Sequence, residues 1–486
     1  MRLSKAKTYL ESAIMIVASV KNRTQIYMGA ILFALSLVSF APAFAANQNT
    51  NPPAKLSQAE FLPLSVYTTV MGDDEPLALA ALTRIEKFAD EASTAMLIEM
   101  LYQVPSRTVL EKLIALIEKK SARTFNGDVN ALYEWLWSSE RPVHPDYAEF
   151  KRLLYSPIDA RFSEYFSGKP KTLIRLDEVR WGGVVRDGIP PLKNPKMIAA
   201  ADATWLKDDH VVFGVAINGD VRAYPKRILA WHEMFKDRIG GLELAGVYCT
   251  LCGALVLYDT NVDGVQYELG TSGFLYRSNK LMYDHATKSM WSTLDGKPVI
   301  GKLVGKNIKL KSLFVVTTTW KEWRTRHPNT TVLSLATGHE RNYDEGVAYR
   351  DYFATDKLMF NVPKTDNRLA NKAEILALRP YQVTDEHLAI AADFLASHPV
   401  YHTLMDKLNM VVLTDASGAN RAYESKTTTF TSWDKTKLAI DNTGKTWKVE
   451  ESQMTGPKGD VLMRVSAHRA FWFGWYSAFP DTKLIK

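Results

Sequence analysis

The chain has 486 residues, 46% of them hydrophobic and 23% charged, which is ordinary globular composition and too much chain for a single core. Its formal charge of +7 is concentrated at the front, where residues 1–45 carry five Lys/Arg and one Glu and leave about +3 for the remainder. No dense Lys/Arg run stands in that remainder, so nucleic-acid binding, which needs many phosphate contacts, is disfavoured.

Arg2, Lys5, Lys7, Lys21 and Arg23 precede the apolar run YMGAILFALSLVSF (27–40), which is followed by APAFAANQNTNPPAK. This order reads as a secretory signal, residues 1–45, with Ala43-Phe44-Ala45 as the small-x-small cleavage site and Met15 an alternative start. The apolar run is short of the roughly 20 residues a membrane span prefers. The expectation is cleavage after Ala45, a periplasmic or otherwise exported mature chain, and no membrane span after cleavage. Export places the cysteines where a disulfide is permitted. Residues 46–69, rich in Asn, Pro and Ala at their start, read as a flexible leader.

A helical domain is expected over about 70–167. Leu97, Met100, Leu101 and Val104 fall at i, i+3, i+4, i+7, and Leu110, Leu113, Ile114 and Ile117 repeat the spacing. Ser106 between them is an N-cap candidate. ALYEWLW (131–137) and YAEFKRLLY (147–155) continue the texture, so either a helical repeat or a plain bundle is implied. If any part of the chain holds a protein partner, this domain is the candidate.

From about 171 the pattern becomes β-rich: VVFGVAING (211–219), ALVLYD (254–259) and VQYELG (265–270), with hairpin turns at INGD (217–220) and NVDG (261–264). PKRILAWHEMFKD (225–237) reads as a short helix with Pro225 at its start. The fold class is therefore α+β: an N-terminal α-helical, repeat-like domain, then a β-rich domain over 171–486 built from two tandem related units. Three ordered matches carry the internal repeat, about 254–333 against 410–485. ALVLYDTNVDGVQYE (254–268) matches MVVLTDASGANRAYE (410–424), KLMYDHATKSMW (280–291) matches KLAIDNTGKTW (437–447), and TWKEWRTRHPNTTVL (319–333) matches FWFGWYSAFPDTKLI (471–485). Asp259 then pairs with Asp415, Trp291 with Trp447, Trp320 with Trp472 and Trp323 with Trp475. At the first offset Cys249 and Cys252 fall opposite Met405 and Leu408, so the thiols belong to one copy only. Tryptophans that recur in a copy without thiols read as core.

Both cysteines of the chain sit in GVYCTLCGALVLYD (246–259), between two strand-like runs. Four chemistries compete for C-T-L-C-G. Haem attachment needs His after the second Cys, and Gly253 stands there. A metal knuckle needs further ligands: His232, His285, Asp284 or Met282. With Cys249, Cys252, His232 and Met282 the donor set suits copper, or zinc. A structural disulfide closes too short a loop to matter much, about 2 kcal/mol by the chain model. A reversible dithiol fits the spacing, with one thiol lowered in pKa and Cys249 the attacker. Glu233, beside His232, is a candidate to orient it or accept a proton, or else a helix-surface residue. Arg222 and Tyr224 line the same face or simply end a strand. No Walker loop, dinucleotide fingerprint, HExxH or G-x-S-x-G is present.

VRWGGVVRDGIPPLKNPKMIAAADATWL (179–206), VFGVAINGDVRAYPKRILAWHEM (212–234), VYCTLCGALVLYD (247–259), SNKLMYDHATKSMWS (278–292) and HRAFWFGWYSAFPDTKL (468–484) together resemble a bacterial family catalogued as domain-of-unknown-function family 3179. The resemblance covers about residues 171–486. Members with selenocysteine in place of a cysteine imply a redox-active position at Cys249 or Cys252. The leading expectation is a thiol-dependent oxidoreductase with Cys249, Cys252 and His232 at its site and an unidentified redox partner or substrate. The alternatives are a copper- or zinc-binding protein and a non-catalytic binding scaffold.

Overall fold

The computed structural model describes residues 61–380 and 386–486. The expected signal and its cleavage site lie outside the described residues, as do residues 46–60 of the expected leader; the last part of that leader instead enters the helix Leu64–Val70, with Val66, Tyr67 and Val70 buried. None of the described helices is long and apolar enough to cross a membrane.

Helices Leu64–Val70, Glu75–Phe88 and Arg107–Ser121 belong to one compact unit, and Glu91–Val104 with Val129–Lys486 form a second. In the first unit, Asp74 caps the Glu75 helix by accepting from Leu77 N–H, and Ser106 caps the Arg107 helix by accepting from Val109 N–H. Ala78, Leu82, Ile85, Val109, Leu113 and Ile117 turn inward at helical spacing.

The second unit opens with helices Thr94–Met100, Val129–Trp137, Tyr147–Tyr155 and Ser163–Phe166 and is β-rich thereafter. Inside its helical part, Lys151 is fully buried against Glu99 at 2.5 Å and also donates to Val179 O at 2.8 Å. The INGD and NVDG hairpins close with Asn218–Gly219 and Asp263–Gly264 at positive φ, the two-residue turn whose twist suits a hairpin.

Among the described residues, three five-stranded sheets precede residue 340. Lys311–Leu313, Ala254–Asp259, Leu242–Cys249, Met234–Ile239 and Leu192–Lys193 lie side by side in that order. Val179–Trp181, Leu269–Tyr276, Asn279–Asp284, Met290–Ser292 and Pro298–Ile300 form the second. The third runs Val316–Thr319, Val211–Ile217, Asp220–Pro225, Thr331–Leu333, Met197–Ala199. The helix Lys226–His232 ends five residues before the expected point, because Glu233 turns left-handed (φ 54°) and the chain continues as a strand.

The C-terminal sheet Ala467–Phe471, Glu374–Leu378, Leu388–Ala391, Lys483–Ile485 has the same succession of antiparallel and parallel neighbours as the third sheet. In both, a short helix precedes the last strand. Trp323 Nε1 donates to Thr330 Oγ1 at 3.0 Å, and Trp475 Nε1 donates to Thr482 Oγ1 at 2.9 Å. Trp291 and Trp447 likewise donate to the carboxylates of Asp284 and Asp441.

Asp259 and Asp415, also expected to correspond, stand in different places. Asp259 ends the strand Ala254–Asp259, whereas Asp415 follows the strand Leu408–Thr414 and opens a turn. Met405 and Leu408 face each other across the preceding hairpin turn, not across a turn placed like that of the cysteines. The turn after the central strand is Thr250–Gly253 in the first segment and Asp415–Ala419 in the second. Cys252 N–H donates to Cys249 O at 3.1 Å, and Gly418 N–H to Asp415 O at 3.0 Å. Period-two strands with Asp- and Gly-bearing turns match as well one hairpin out of register as in it.

Candidate functional site

The thiols lie at the tip of the hairpin formed by Leu242–Cys249 and Ala254–Asp259, where Cys249 pairs with Ala254 at the end of the ladder. Gly253 takes φ +60°, and a Cβ there would stand 2.9 Å from the Phe471 ring. Gly474 faces Cys252 just as closely: a Cβ would meet Cys252 Cβ at 3.0 Å. Phe471 N–H donates to Cys252 O at 2.7 Å, so the C-terminal FWFGW stretch backs the cysteine turn.

A second hairpin supplies the facing wall. Tyr276 and Asn279 pair across a two-residue turn whose central residues, Arg277 and Ser278, both have positive φ. That turn ordinarily takes Asn-Gly. Here it is held by Arg277, which donates to Glu178 Oε2 at 2.5 Å and to Ser477 O at 2.9 Å. The strain presents Ser278 O to the sulfurs, 3.4 Å from Cys252 Sγ and 3.9 Å from Cys249 Sγ.

Glu233, also left-handed, stands on the third side. Its carboxylate takes Lys280 Nζ at 2.9 Å, Thr250 Oγ1 at 3.1 Å and Tyr349 OH at 3.1 Å, and its carbonyl takes Lys280 Nζ at 2.8 Å. Tyr352 OH donates to Leu251 O at 2.7 Å. Three non-glycine residues in the left-handed region therefore surround one pair of thiols, a placement typical of sites where geometry serves chemistry.

Both cysteines are free and buried. They are not equivalent. Burial raises the Cys249 thiol, but hydrogen bonds from the Cys252 thiol and the Lys280 backbone N–H outweigh it and bring Cys249 below the ordinary thiol range. Burial pushes Cys252 well above that range, and the adjacent Cys249 adds to it. Cys249, Thr250, Glu233, Lys280 and Tyr349 line a cavity of about 520 Å³, counting its open mouth, and Cys252 stands behind Cys249 outside the lining. The arrangement is one sulfur at the wall of a cavity and a second sulfur outside that wall.

The other expected site residues are placed elsewhere. His232 is buried, with Nδ1 2.9 Å from Pro190 O and Nε2 2.5 Å from Tyr343 OH. Both ring nitrogens are thus occupied away from the sulfurs, and burial lowers its pKa to about 4. Met282 is buried in the same apolar cluster as both cysteines. His285 lies against Tyr283 and Asp284 accepts from Thr287 and Trp291, each on business of its own. Among the described residues, no three His, Cys, Asp or Glu side chains are grouped to hold a metal ion. Arg222 and Tyr224 both donate to Asp237. Lys280 and Tyr349 escaped sequence reasoning. Every residue of the strand Asn279–Asp284 is buried, so alternation gave no sign that its lysine points inward.

No curated protein and no solved structure matches the chain. A family model described as "Protein of unknown function (DUF3179)" matches residues 186–482, more than half of the sequence and a span that contains Glu233, Cys249, Cys252, Lys280 and Tyr349. The chain belongs to this family.

Proposed function

We propose that this is an exported protein whose activity is thiol-based redox chemistry at Cys249 and Cys252. The observation that carries the reading is the placement of the pair: Cys249 lines the cavity, Cys252 stands outside its lining, and both sulfurs lie within 3.9 Å of the Ser278 carbonyl, with Cys249 the thiol of lowered pKa. A nucleophilic thiolate with a protonated neighbour in hydrogen-bond reach is what dithiol–disulfide exchange requires. Glu233 and Lys280 stand beside the thiols where His232 was expected. They hold the turn between two hairpins and set the field at Cys249.

We also infer that the segments beginning near 211 and 374 are tandem related units. The shared strand order and the paired tryptophan–threonine hydrogen bonds support this. The counterpart of the thiol turn is then Asp415–Ala419, where Asp415 meets the buried Arg421 at 2.7 Å. One unit would keep a charged structural turn there and the other a pair of thiols.

The test is alkylation of the reduced protein with iodoacetamide over a pH series, with the modified residue mapped by mass spectrometry. Cys249 should react with a midpoint below about 8.5, the unperturbed thiol value, and Cys252 should not. Equal reaction at both, with ordinary midpoints, would remove the basis of the proposal.

A further inference from the structure

The walls of the cavity restrict what can reach Cys249. They are apolar, formed by Val184, Leu251, Phe274, Leu275, Met359 and Phe360. The one basic side chain in the lining, Lys280, is already engaged by the Glu233 carboxylate and carbonyl. A carboxylate, phosphate or nucleotide therefore finds no free cation to replace its hydration. Cys249 is only 2% exposed. A disulfide on a folded protein cannot bring its sulfur to that depth, so the reactant is a small molecule that enters the cavity. Its body must be apolar to gain from those walls.

The second sulfur constrains the reactive end. An acyl-transfer nucleophile has no use for a thiol behind it. A sulfur that accepts an oxygen atom does, because its sulfenic acid must be condensed before it is oxidised further. We propose, resting on the dithiol reading above, that the cavity takes an organic hydroperoxide with an apolar body and that Cys249 and Cys252 reduce it to the alcohol.

The steps balance. Cys249 thiolate attacks the terminal peroxide oxygen. The sulfur–oxygen bond forms, the oxygen–oxygen bond breaks, and the alkoxide leaves. The alkoxide takes a proton from water at the open mouth of the cavity. The Cys252 sulfur then attacks the Cys249 sulfur. The disulfide forms, and the hydroxyl of the sulfenic acid leaves with the Cys252 proton as water. The peroxide gains two electrons and the dithiol loses two. A low-molecular-weight thiol or dithiol restores the reduced pair.

The experiment is a single turnover of the pre-reduced full chain with cumene hydroperoxide, with hydrogen peroxide and, separately, with diamide. Free thiols and cumyl alcohol are measured. One cumyl alcohol should appear for each pair of thiols lost, and cumene hydroperoxide should react at least about tenfold faster than hydrogen peroxide, the discrimination that one or two apolar groups give in a hydrophobic pocket. Met359 is half exposed at the wall, so Met359→Glu should fold. It should slow the cumene hydroperoxide reaction more than the hydrogen peroxide reaction and so reduce the preference between them. Disulfide formation with diamide but no preference for cumene hydroperoxide would overturn the substrate class and leave the dithiol standing. No disulfide with any of the three oxidants would overturn both.

Discussion

The Lys280–Glu233 pair offers the sharpest separation of a positioning role from a merely structural one. Both side chains are at most 10% exposed, and they meet at 2.9 Å. Lys280→Met leaves a buried carboxylate without its counter-charge and a carbonyl without its side-chain donor, and Glu233→Gln leaves a buried ammonium without its counter-charge. Breaking such a pair from one side costs about 3–5 kcal/mol. The double variant removes both charges and should cost clearly less than the sum of the singles, because contacting residues are not additive. Urea unfolding followed by tryptophan fluorescence reads this cleanly, since all 12 tryptophans lie in the unit that contains the site. Stability alone would not distinguish the roles, but the Cys249 titration does. The Lys280 charge lowers the Cys249 pKa and the Glu233 charge raises it. Alkylation of Cys249 should therefore shift to higher pH in Lys280→Met and to lower pH in Glu233→Gln. Shifts of the same sign, or none, would show that the pair holds the fold without setting the thiol.

Other expectations are simpler to state. Trp323→Ala and Trp475→Ala should each destabilise by about 3–5 kcal/mol in the same urea assay, because each empties the space of a fully buried ring and removes the donor to a threonine hydroxyl. His232 and His468 are buried with pKa values lowered to about 4. The unfolded chain then binds more protons than the folded one between about 6.5 and 4, so their contribution is complete above 6.5 and is lost as pH falls towards 4, by up to roughly 3 kcal/mol each. His468→Gln should flatten that limb in a melting series against pH. N-terminal sequencing of the exported fraction should find Ala46 first, and any residue from the 27–40 run on the mature chain would refute cleavage.

Much of the fold could be read before the structure, and the reasons differ by element. Strong periodicity marked the helices at Arg107–Ser121 and Tyr147–Tyr155, and positive-φ pairs marked the INGD and NVDG turns. The C-T-L-C turn was legible as a hairpin tip because strand patterns flank it. The rest was hidden by burial on both faces. A strand like Asn279–Asp284, inward on every residue, gives no alternation, so nothing singled out Lys280. His232 drew attention as a histidine near cysteines. Its ring points to Pro190 and Tyr343 because Glu233 leaves the helix in a left-handed turn, and no local pattern announces such a turn at a glutamate.

The most direct test of the central claim is the redox state of the two sulfurs. Reduced protein treated with diamide should lose two hydrogen masses, yield a Cys249–Cys252 cross-linked peptide, and regain both thiols on incubation with dithiothreitol. Its fold should survive both steps, since closing so short a loop changes stability by about 2 kcal/mol at most. Two thiols that remain separately alkylatable after diamide, with no cross-linked peptide, would contradict it.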